Sequence, residues 1–465
     1  MEKRYKLSKF NLHCLDDEGN LLLCNFLTGI DSLSIIKKEY VKEFEEKILN
    51  SKCIIEKYNE NIVQYLYKIR FLAKIDEDED ALYDALFYEK IYSGTWQLII
   101  LPTHKCNFKC KYCYEGVEFR AKEDMSYESQ KKILKYIQKN SAFHSKLRVA
   151  WFGGEPLLSI KTIKYLSEGI LEICDAKKIN YEAEMTTNGY NMTPQVFDML
   201  YKNKIYIYQI TLDGVKKEHD KQRVKEDGMG TFDKILGNLL YIRDNRNKYK
   251  LARITIRTNA TKNIMLNLKE FLDFFDEYFG SDNRFSLHFT EATQYETDMD
   301  LLDNTRLLQS DYLGRNKFLD IIYDDKYREK IITKEDIISM FTPMRSLCYA
   351  AGREKYVIDT DLAVCKCTVH FGFKENNVGY INNKGDMVID ENVNRKWYVR
   401  QPLNEECKDC FYLPCCNKTG CPHKYNFNKD EFYNHCHMEN LKEKMSINLL
   451  RLAKYIKFTS IEMGD

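Results

Sequence analysis

The chain is organised around one stretch, Leu101-Pro-Thr-His-Lys-Cys106-Asn-Phe-Lys-Cys110-Lys-Tyr-Cys113-Tyr114. Three residues separate the first two cysteines and two separate the last two, so three thiolates fit within one short loop. Such a loop wraps one corner of an iron–sulfur cube and leaves one iron without a protein ligand, and thiolate-rich sites select iron–sulfur clusters or zinc. A structural zinc site is the alternative, but it needs four ligands, and His104 is the only close histidine. The spacing therefore favours a three-cysteine cluster with an open iron.

The composition is that of a globular chain without charge bias. Its 465 residues are 44% hydrophobic, and 71 Lys and Arg against 70 Asp and Glu give a net charge of +1. This balance offers no electrostatic case for nucleic acid or a membrane surface as the main partner. The N-terminus lacks an apolar signal-peptide core and no apolar run approaches membrane-spanning length, so we expect a cytoplasmic protein. In a reducing compartment its 16 cysteines are expected to bind metal rather than form disulfides.

Residues 91–290 alternate short apolar strands with helices. The six predicted strands are Trp96–Leu101, Leu147–Phe152, Tyr181–Thr186, Ile205–Leu212, Ala252–Thr258 and Arg284–Thr290. The helices predicted between them are Ser126–Asn140, Ile160–Cys174, one opened by Thr193-Pro194, Phe232–Asn245 and Asn267–Phe279. Strands joined by helices form a parallel sheet with right-handed crossovers. The pattern therefore predicts an α/β fold, a partial (β/α)6 barrel whose chemistry lies over the carboxyl ends of the strands, where the cysteine loop begins.

Polar loops follow the next three predicted strands at the same end. Gly153-Gly154-Glu155 follows the second strand, Thr187-Asn188-Gly189 the third, and Thr211-Leu-Asp-Gly the fourth, with Arg223 downstream. Glycine lets the backbone approach a ligand closely, and a carbonyl or carboxylate can accept a hydrogen bond from an ammonium group. Each loop alone could be an ordinary turn. Together with the cysteine loop, four successive strand ends favour one binding site.

The C-terminal region carries nine cysteines, which are Cys348, Cys365, Cys367, Cys407, Cys410, Cys415, Cys416, Cys421 and Cys436. Two fully held four-iron clusters would need eight ligands. A zinc ribbon would show two Cys-x-x-Cys pairs, whereas this region has one pair and more than four candidate ligands. Cys365 and Cys367 are two residues apart, so on a strand both sulfurs would point to one face, roughly 6 to 7 Å apart. That separation could suit one cluster.

The cysteine spacing at residues 106–113, with an aromatic residue before the last cysteine, resembles the signature of the radical S-adenosylmethionine (SAM) enzymes. The resemblance implies that Cys106, Cys110 and Cys113 hold a [4Fe-4S] cluster whose open iron binds the amino and carboxylate groups of SAM. It also implies that residues of the chain contact the adenine, the amino group, the ribose and the carboxylate of SAM and form the wall of its pocket. The residues implied for these contacts are Tyr112 at the adenine, Gly153, Gly154 and Glu155 at the amino group, Asn188 at the wall, and Thr211 and Arg223 at the ribose and carboxylate.

The C-terminal cysteines resemble the SPASM domain of peptide-modifying radical SAM enzymes. That pattern selects Cys416, but four residues rather than three precede Cys421, so Cys415 remains a competitor. Upstream it selects Cys367. The implied auxiliary ligands are Cys348, Cys367 and Cys421 for a first cluster, and Cys407, Cys410, Cys416 and Cys436 for a second. Either Cys365 completes the first cluster or one iron stays open for a substrate thiolate. The resemblance thus implies three [4Fe-4S] clusters in all.

Residues 1–90 are predicted to form a small α+β domain. Its predicted elements are strands Tyr5–His13 and Asn20–Phe26 and helices Ser34–Leu49 and Asp80–Phe87. It resembles the leader-peptide recognition element of peptide-modifying enzymes, which adds an extended peptide to a sheet edge; a cap over the barrel is the alternative. The expected domains are a leader-recognition-like domain at 1–90, the barrel at 91–290, a helical bridge at 291–345 and a SPASM domain at 346–465.

These resemblances imply an oxidative peptide maturase. In such enzymes the reduced cluster cleaves SAM to methionine and a 5′-deoxyadenosyl radical, which abstracts hydrogen from a ribosomally made precursor peptide. The implied partners are that peptide, with its leader on the N-terminal domain, and a reductant such as a flavodoxin or ferredoxin. The auxiliary clusters would accept the electron of the oxidised product or bind a substrate cysteine.

Several chemical outcomes fit this class. Formation of a thioether from a peptide cysteine leads, with carbon–carbon crosslinking or another radical modification as the alternative. In sulfatase-maturing relatives an Asp serves as general base directly after the second upstream cysteine. Thr368 stands there in this chain, which counts against formylglycine formation. A multi-cluster electron carrier is the hypothesis from another class, but it would not need loops that bind SAM.

Overall fold

The computed structural model describes residues 4–55, 59–92, 95–113, 123–261, 264, 266–291, 334–345, 347–399, 403, 405–416, 421–427 and 441–462. The chain forms two compact units. The first comprises Met1–Ser93, Ile332–Arg353 and Arg395–Asp465, and the second comprises Gly94–Ile331 and Glu354–Asn394. Within the described ranges, no helix is long and apolar enough to cross a lipid bilayer.

The first unit contains two small sheets with helices. Its first six strands are β1 (Arg4–Leu7), β2 (Asn11–Leu15), β3 (Leu21–Asn25), β4 (Gly29–Ile36), β5 (Ile54–Ile55) and β6 (Leu72–Lys74). One sheet has the antiparallel order β5-β1-β6, and in the other the C-terminal strand Thr459–Ile461 runs parallel to β4, followed by β3 and β2. The helices are Lys38–Phe44, Glu60–Lys68, Glu79–Tyr92, Lys334–Met340, Glu405–Lys408 and Leu441–Tyr455.

Two predictions for the N-terminal region were wrong. The single strand expected over Tyr5–His13 is two strands, β1 and β2, in different sheets. The chain turns between them because the Ser8 hydroxyl accepts the Phe10 N–H (3.2 Å), a local bond that competes with a continuous ladder. The helix expected over Ser34–Leu49 begins only at Lys38, because the preceding residues pair with β3 and the C-terminal strand as β4.

The second unit is built on one ten-stranded sheet. Its strands are β7 (Trp96–Ile100), β8 (Lys146–Trp151), β9 (Asn180–Thr187), β10 (Ile205–Thr211), β11 (Arg253–Ala260), β12 (Phe285–Glu291), β13 (Lys355–Ile358), β14 (Ala363–Cys365), β15 (Asn377–Ile381) and β16 (Met387–Ile389). β7 to β12 follow one another in chain order and each pair is parallel. The predicted α/β fold with six parallel strands is confirmed, with bounds that differ by one or two residues.

The helices of this unit also follow the sequence pattern. They are Tyr127–Asn140, Ile160–Lys177, Pro194–Lys202, Lys216–Gln222, Phe232–Asp244 and Leu268–Phe279. The side chain of Ser126 accepts the Ser129 N–H, and that of Thr193 accepts the Val196 N–H, so both caps satisfy donors that a helix start leaves unpaired. The short helix Lys216–Gln222 is an addition that the sequence pattern did not indicate.

A second addition extends the sheet beyond β7. β13 pairs with β7 in parallel, and β14, β15 and β16 continue as antiparallel strands. The region expected as one C-terminal domain, 346–465, is divided between the units: Glu354–Asn394, which includes these strands, belongs to the second unit, and its other described residues belong to the first. Of the expected bridge at 291–345, only Glu291 and 334–345 lie within the described residues, and its helix Leu301–Asp324 lies outside them.

Smaller elements complete the described chain. The helix Glu391–Tyr398 follows β16. The short helical turns are Glu45–Leu49, Ser141–Phe143, Pro156–Ser159, Tyr349–Ala351, Lys374–Asn376, Leu413–Cys415 and His423–Phe427.

Candidate active site at the carboxyl ends of the parallel strands

The cysteine loop leaves β7 and runs along the segment 222–225. The Lys109 N–H donates to the Val224 carbonyl (2.7 Å) and the Lys111 N–H donates to the Gln222 carbonyl (3.1 Å). These main-chain bonds hold the loop as if it were a short extra strand. The Phe108 N–H also points at the Cys106 sulfur (3.4 Å), the kind of contact that stabilises a metal-bound thiolate.

The structure places Cys106, Cys110 and Cys113 on this one loop, and all three are half-buried. Across the part of the chain that the structure describes, no three His, Cys, Asp or Glu side chains are close enough together to hold a metal ion. The loop thus supplies the three thiol donors that the predicted iron–sulfur cluster needs. The ligand roles remain predictions from the sequence.

Two glycines after β8 pack directly on the cysteine loop. A Cβ atom on Gly153 would lie 2.2 Å from the Thr103 carbonyl oxygen, and one on Gly154 would lie 2.3 Å from the His104 carbonyl oxygen. Gly153 also has a φ of 129°, in the region that favours glycine. The glycines allow a close approach of backbone to backbone, and the approach to a ligand stays a prediction from the sequence. The close partner is the backbone of the cysteine loop.

The carboxylate of Glu155 joins the ends of β8 and β9. It is fully buried and accepts the Leu157 N–H (2.9 Å), the Thr187 hydroxyl (2.7 Å) and the Asn188 N–H (2.7 Å). Burial raises the pKa of Glu155, although these hydrogen bonds oppose the shift. Because its oxygens already accept three hydrogen bonds, the side chain of Glu155 braces two of the loops.

Asn188 links the loop after β9 to the cysteine loop. Its side-chain amide donates to the Asn107 side-chain oxygen (2.8 Å), and its own oxygen accepts the Tyr190 N–H (2.9 Å). Tyr190 in turn contacts Phe108 edge to face, with ring centroids 5.7 Å apart. The loops after β8 and β9 therefore both support the segment that carries the cysteines.

Four side chains form a hydrogen-bonded group that we call the Tyr112 cluster: half-buried Tyr112 and buried Asp213, Arg223 and Asn259. The Tyr112 hydroxyl donates to the Asp213 carboxylate and accepts from the Arg223 guanidinium (2.6 Å) and the Asn259 amide (2.9 Å). The sequence predicts roles for Tyr112 and Arg223, whereas Asp213 and Asn259 are functional candidates that only the structure indicates. Both missed residues sit at the end of a parallel strand, which was the available signal.

Burial and charge act against each other in this cluster. Burial raises the pKa of Tyr112, and it raises that of Asp213 although Arg223 opposes the shift. For Arg223, burial lowers the pKa, but Cys110, Tyr112 and Asp213 outweigh it and the net shift is upward. The guanidinium lies over the Phe108 ring, 5.6 Å from its centroid.

Arg223 has a donor left for a ligand. Its Nε atom is buried and has no hydrogen-bond partner among the described residues. A buried donor without a partner is costly, and a carboxylate is the partner that a guanidinium binds best. This atom, together with the three thiols of the loop, fits the groups of SAM and its cluster.

Behind the cluster lies a buried histidine, His219. Its Nδ1 accepts the Asp213 N–H (3.2 Å), so in the neutral ring Nε2 carries the proton and donates to the Thr231 hydroxyl (3.0 Å). The Thr231 hydroxyl then donates to the Arg223 carbonyl (2.7 Å). Burial, aided by the positive charge of Arg223, lowers the pKa of His219 to about 3. A neutral His219 thus fixes the backbone on both sides of the cluster.

Thr211 and His104 also lie at the carboxyl ends of parallel strands. Thr211 is the last residue of β10, is buried and lies opposite Arg257 of β11. His104 was considered as a zinc ligand, but its ring forms a buried contact with the Asp359 carboxylate, just after β13. No sequence signal connects these two residues, because Asp359 is far away in the chain.

Of the C-terminal cysteines in the second unit, Cys365 and Cys367 differ in environment. Cys365 is buried at the end of β14, opposite Val357. Cys367 is half-buried in a turn in which its N–H donates to the Asn376 side-chain oxygen (2.7 Å) and its sulfur faces the Val369 N–H (3.4 Å). The sulfur of Cys367 thus resembles that of Cys106, with a main-chain N–H two residues on.

The first unit separates Cys415 from Cys416. Cys415 is buried in a hydrophobic core, its thiol faces the Phe26 carbonyl (3.8 Å), and burial raises its pKa well above the usual range. Cys416 is only half-buried. The two neighbouring cysteines therefore differ in burial.

The remaining predicted ligands take several positions. Cys348, Cys407 and Cys421 are half-buried and Cys410 is buried. Cys407 and Cys410 belong to one turn, in which the Cys410 N–H donates to the Cys407 carbonyl (3.2 Å). Cys436 lies outside the described residues.

The parallel sheet carries a loop with three cysteines at its carboxyl edge. Glycines and polar side chains of the neighbouring loops support this cysteine loop, an arrangement typical of enzymes that bind an iron–sulfur cluster there. Residues 100–272 match the family model of the Radical SAM superfamily. The chain therefore carries a Radical SAM domain and is an enzyme, and this domain family implies S-adenosylmethionine and a [4Fe-4S] cluster as cofactors.

Individual proteins show how far the similarity extends. A cysteine-type anaerobic sulfatase-maturating enzyme of Clostridium novyi (strain NT) is 26% identical over 340 residues, which are 70% of this chain and 87% of that protein. The radical SAM cyclopropyl synthase TigE of Paramaledivibacter caminithermalis is 26% identical over 239 residues, 48% of this chain and 44% of that protein. The structure of native anSMEcpe with bound AdoMet aligns over 78% of this chain and 100% of that one, with a TM-score of 0.59 at 20% identity, and so shares the fold.

Proposed function

We propose that this radical SAM enzyme oxidatively modifies a ribosomally made peptide and forms a thioether from a peptide cysteine. The observation that carries the proposal is the cysteine-rich region beyond the family match: nine cysteines follow residue 345, whereas the Radical SAM match ends at 272. The similarity to a protein named as a sulfatase-maturating enzyme, which this chain covers at 87% of its length, supports a peptide or protein substrate.

At the SAM site, the proposed contacts are Tyr112 at the adenine and Arg223 at the carboxylate, with Thr211 at the ribose. The Nε–H of Arg223, which has no hydrogen-bond partner among the described residues, supports the proposed contact of Arg223 with the SAM carboxylate. When bound, SAM and the cluster on Cys106, Cys110 and Cys113 supply a 5′-deoxyadenosyl radical that removes a hydrogen atom from the substrate.

The loops after β8 and β9 support the cysteine loop in this proposal. Gly153, Gly154 and Glu155 support the cysteine loop and its neighbours, as their contacts indicate. Their main-chain carbonyls remain the proposed acceptors for the amino group of SAM, and Asn188 remains the proposed wall of the pocket. The carboxylate of Glu155 acts as a brace in this proposal.

The proposed ligands of the two auxiliary clusters are those assigned from the sequence. Together with the cluster that binds SAM, they give three [4Fe-4S] clusters in this proposal. The contrast between buried Cys415 and half-buried Cys416 supports Cys416. The N–H directed at the Cys367 sulfur supports Cys367 as a ligand. Buried Cys365 remains the proposed fourth ligand of the first cluster, as the alternative to an iron left open for a substrate thiolate.

The proposed site for the peptide leader is a sheet edge of the first unit. β2 and β6 are each paired on one side only within the described residues, so both are edge strands. Edge strands present main-chain donors and acceptors that an added peptide strand can use. A flavodoxin or ferredoxin is the proposed source of electrons.

Formylglycine formation is the second candidate, because the Clostridium novyi relative is a sulfatase-maturating enzyme. That reaction needs a base near the substrate cysteine. In this chain the position after Cys367 is Thr368, which is buried and carries no carboxylate. The thioether therefore leads.

The test is anoxic incubation of iron-reconstituted protein with SAM, dithionite and a cysteine-rich peptide encoded by a neighbouring gene. We expect 5′-deoxyadenosine and a peptide lighter by two hydrogens in which one cysteine no longer alkylates. A peptide that loses two hydrogens while every cysteine still alkylates would reject the thioether, and an aldehyde in place of a thiol would favour formylglycine.

Two controls define the radical chemistry. The triple variant Cys106→Ala, Cys110→Ala, Cys113→Ala is expected to release no deoxyadenosine. The matched control is Cys53→Ala, which removes an exposed thiol of the first unit and should leave the rate unchanged. Iron-loaded parent protein that releases no deoxyadenosine would favour the electron carrier instead.

A further inference from the structure

We propose that Asp213 and Asn259 are positioning residues that fix Tyr112 and Arg223 in the SAM site before SAM binds. The inference rests on the SAM contacts proposed above for Tyr112 and Arg223. It assigns a role to two residues that belong to neither the cysteine loop nor the predicted SAM contacts.

The Tyr112 hydroxyl uses its full hydrogen-bonding capacity inside the protein. A phenol hydroxyl donates one hydrogen bond and accepts two. In the cluster it donates to Asp213 and accepts from Arg223 (2.6 Å) and Asn259 (2.9 Å). The hydroxyl therefore has no bond left for a ligand. Three partners on different parts of the chain fix its position, and only the ring face can serve as a contact surface.

The charges of the cluster also depend on one another. Asp213 and Arg223 are both buried, and the guanidinium NH1 lies 4.0 Å from the Asp213 carboxylate. The Tyr112 hydroxyl bridges this gap, because it donates to the carboxylate and accepts from the guanidinium. Removing one partner of a buried pair leaves an uncompensated charge. Asp213 thus holds Arg223 both directly and through Tyr112.

The cluster is anchored on the parallel sheet. Asp213 follows β10, and its carboxylate also accepts the N–H of Asn259, which lies in β11 (2.8 Å). The Asp213 N–H is held in turn by His219 (3.2 Å). Side chains mounted on strands are positioned more accurately than those on loops. The sheet can therefore set the position of Tyr112, which lies between the predicted ligands Cys110 and Cys113.

The consequence is a coupling between the sheet and the cysteine loop. Without the cluster, the loop keeps its main-chain bonds to the segment 222–225 but loses its side-chain link to β10 and β11. The Tyr112 ring and the Arg223 guanidinium would then have to be ordered by SAM itself. SAM would bind more weakly if its binding also had to order these side chains, because the free-energy cost of ordering them is subtracted from the binding free energy.

The test compares Tyr112→Phe, Asn259→Ala and the double variant in iron-loaded protein under anoxia. We expect Tyr112→Phe to weaken SAM binding in equilibrium dialysis about tenfold, equivalent to about 1.4 kcal/mol. Asn259→Ala is expected to weaken it a few-fold. The Asn259 amide donates to the Tyr112 hydroxyl at 2.9 Å and to the Asp213 carboxylate at only 3.4 Å. Because the shorter bond is the one to the hydroxyl, the double variant should bind little more weakly than Tyr112→Phe alone, as a double-mutant cycle would show.

The matched control is Tyr208→Phe. It removes another buried hydroxyl of the same sheet, which donates to the Ile205 carbonyl (2.5 Å) at the start of β10, far along the strand from the site. This variant should bind SAM as the parent does. A spectroscopic measurement separates positioning from general stability: the electron paramagnetic resonance change of the reduced cluster on SAM addition should be altered in Tyr112→Phe and unaltered in Tyr208→Phe.

Hydrogen exchange in SAM-free protein gives a measurement that does not depend on the proposed function. The amides of Lys109 and Lys111 should exchange faster in Tyr112→Phe and Asn259→Ala than in the parent. Parental SAM affinity and parental exchange in Tyr112→Phe, or additive losses in the double variant, would overturn the inference. A parent protein that binds no SAM would instead refute the proposed function, and the exchange rates would then decide the positioning role alone.

Discussion

Replacing Gly154 with alanine tests whether the loop after β8 sets the position of the cysteine loop. In the structure a Cβ on Gly154 would lie 2.3 Å from the His104 carbonyl oxygen and 2.5 Å from that of Lys105. Both atoms are backbone, so no side chain can rotate away. Ordinary contacts begin at 3.4 Å, so the cysteine loop must retreat by about 1 Å.

The size of the effect follows from this displacement. A shift of about 1 Å in a positioned group can cost about 100-fold in rate, which is about 2.7 kcal/mol of activation free energy. Overpacking of a well-filled region also costs typically about 1–3 kcal/mol of stability. We therefore expect Gly154→Ala to form deoxyadenosine about 100-fold more slowly than the parent and to unfold at a lower temperature.

The assay measures deoxyadenosine formation under anoxia, divided by the iron content of each preparation. The matched control is Gly237→Ala in the helix Phe232–Asp244, where an added Cβ meets nothing within 4 Å. That variant should keep the parental rate and gain about 0.5–1 kcal/mol of stability, because alanine favours a helix interior over glycine.

The cluster spectrum without SAM distinguishes loop displacement from a lost SAM contact. If Gly154→Ala moves the cysteine loop, the spectrum of the reduced cluster changes even in the absence of SAM. If the substitution only removes a contact to SAM, that spectrum stays parental. A Gly154→Ala protein with parental rate and parental spectrum would show that the close packing does not position the cysteines.

Three further predictions follow from single side chains. Cys416→Ala should lower the iron content by one cluster, whereas Cys415→Ala should keep the iron and lower the unfolding temperature, because it leaves a cavity in the core. Burial lowers the pKa of His219 from its ordinary 6.5 to about 3 in the folded state. The neutral ring therefore contributes its full stability above pH 6.5, and this contribution is lost as the pH falls toward 3. Between pH 7 and pH 5, the unfolding temperature of His219→Gln should fall less than that of the parent. Thr193→Ala should cost about 1 kcal/mol, measured by denaturant unfolding, because it removes the cap on the Val196 N–H.

The parallel sheet could be predicted from the sequence because its signals are local. Each strand is a short apolar run, and each following helix has its own start signal, such as Thr193 before Pro194. The polar residues after each strand could be predicted for the same reason, since the carboxyl ends of parallel strands meet at one edge. This placed Glu155 and Asn188 near the cysteine loop, where the structure also has them. Arg223 was selected by the family resemblance, and the structure has it beside Tyr112 of that loop.

Contacts between distant parts of the chain could not be predicted in this way. The pairing of β13 with β7 and the contact of His104 with Asp359 join segments separated by more than half of the chain. The parallel pairing of the C-terminal strand with β4 is as remote. Neither composition nor periodicity encodes which remote segment completes a sheet edge, so these elements were absent from the prediction.

The sequence motif and the structure give Glu155 different roles, and the hydrogen bonds show why. A carboxylate that binds an ammonium group must offer an accessible oxygen. That of Glu155 is fully buried and accepts Thr187, Asn188 and Leu157 donors. We therefore propose that the acidic residue of this motif holds the loops together and that main-chain carbonyls accept the hydrogen bonds of the amino group of SAM.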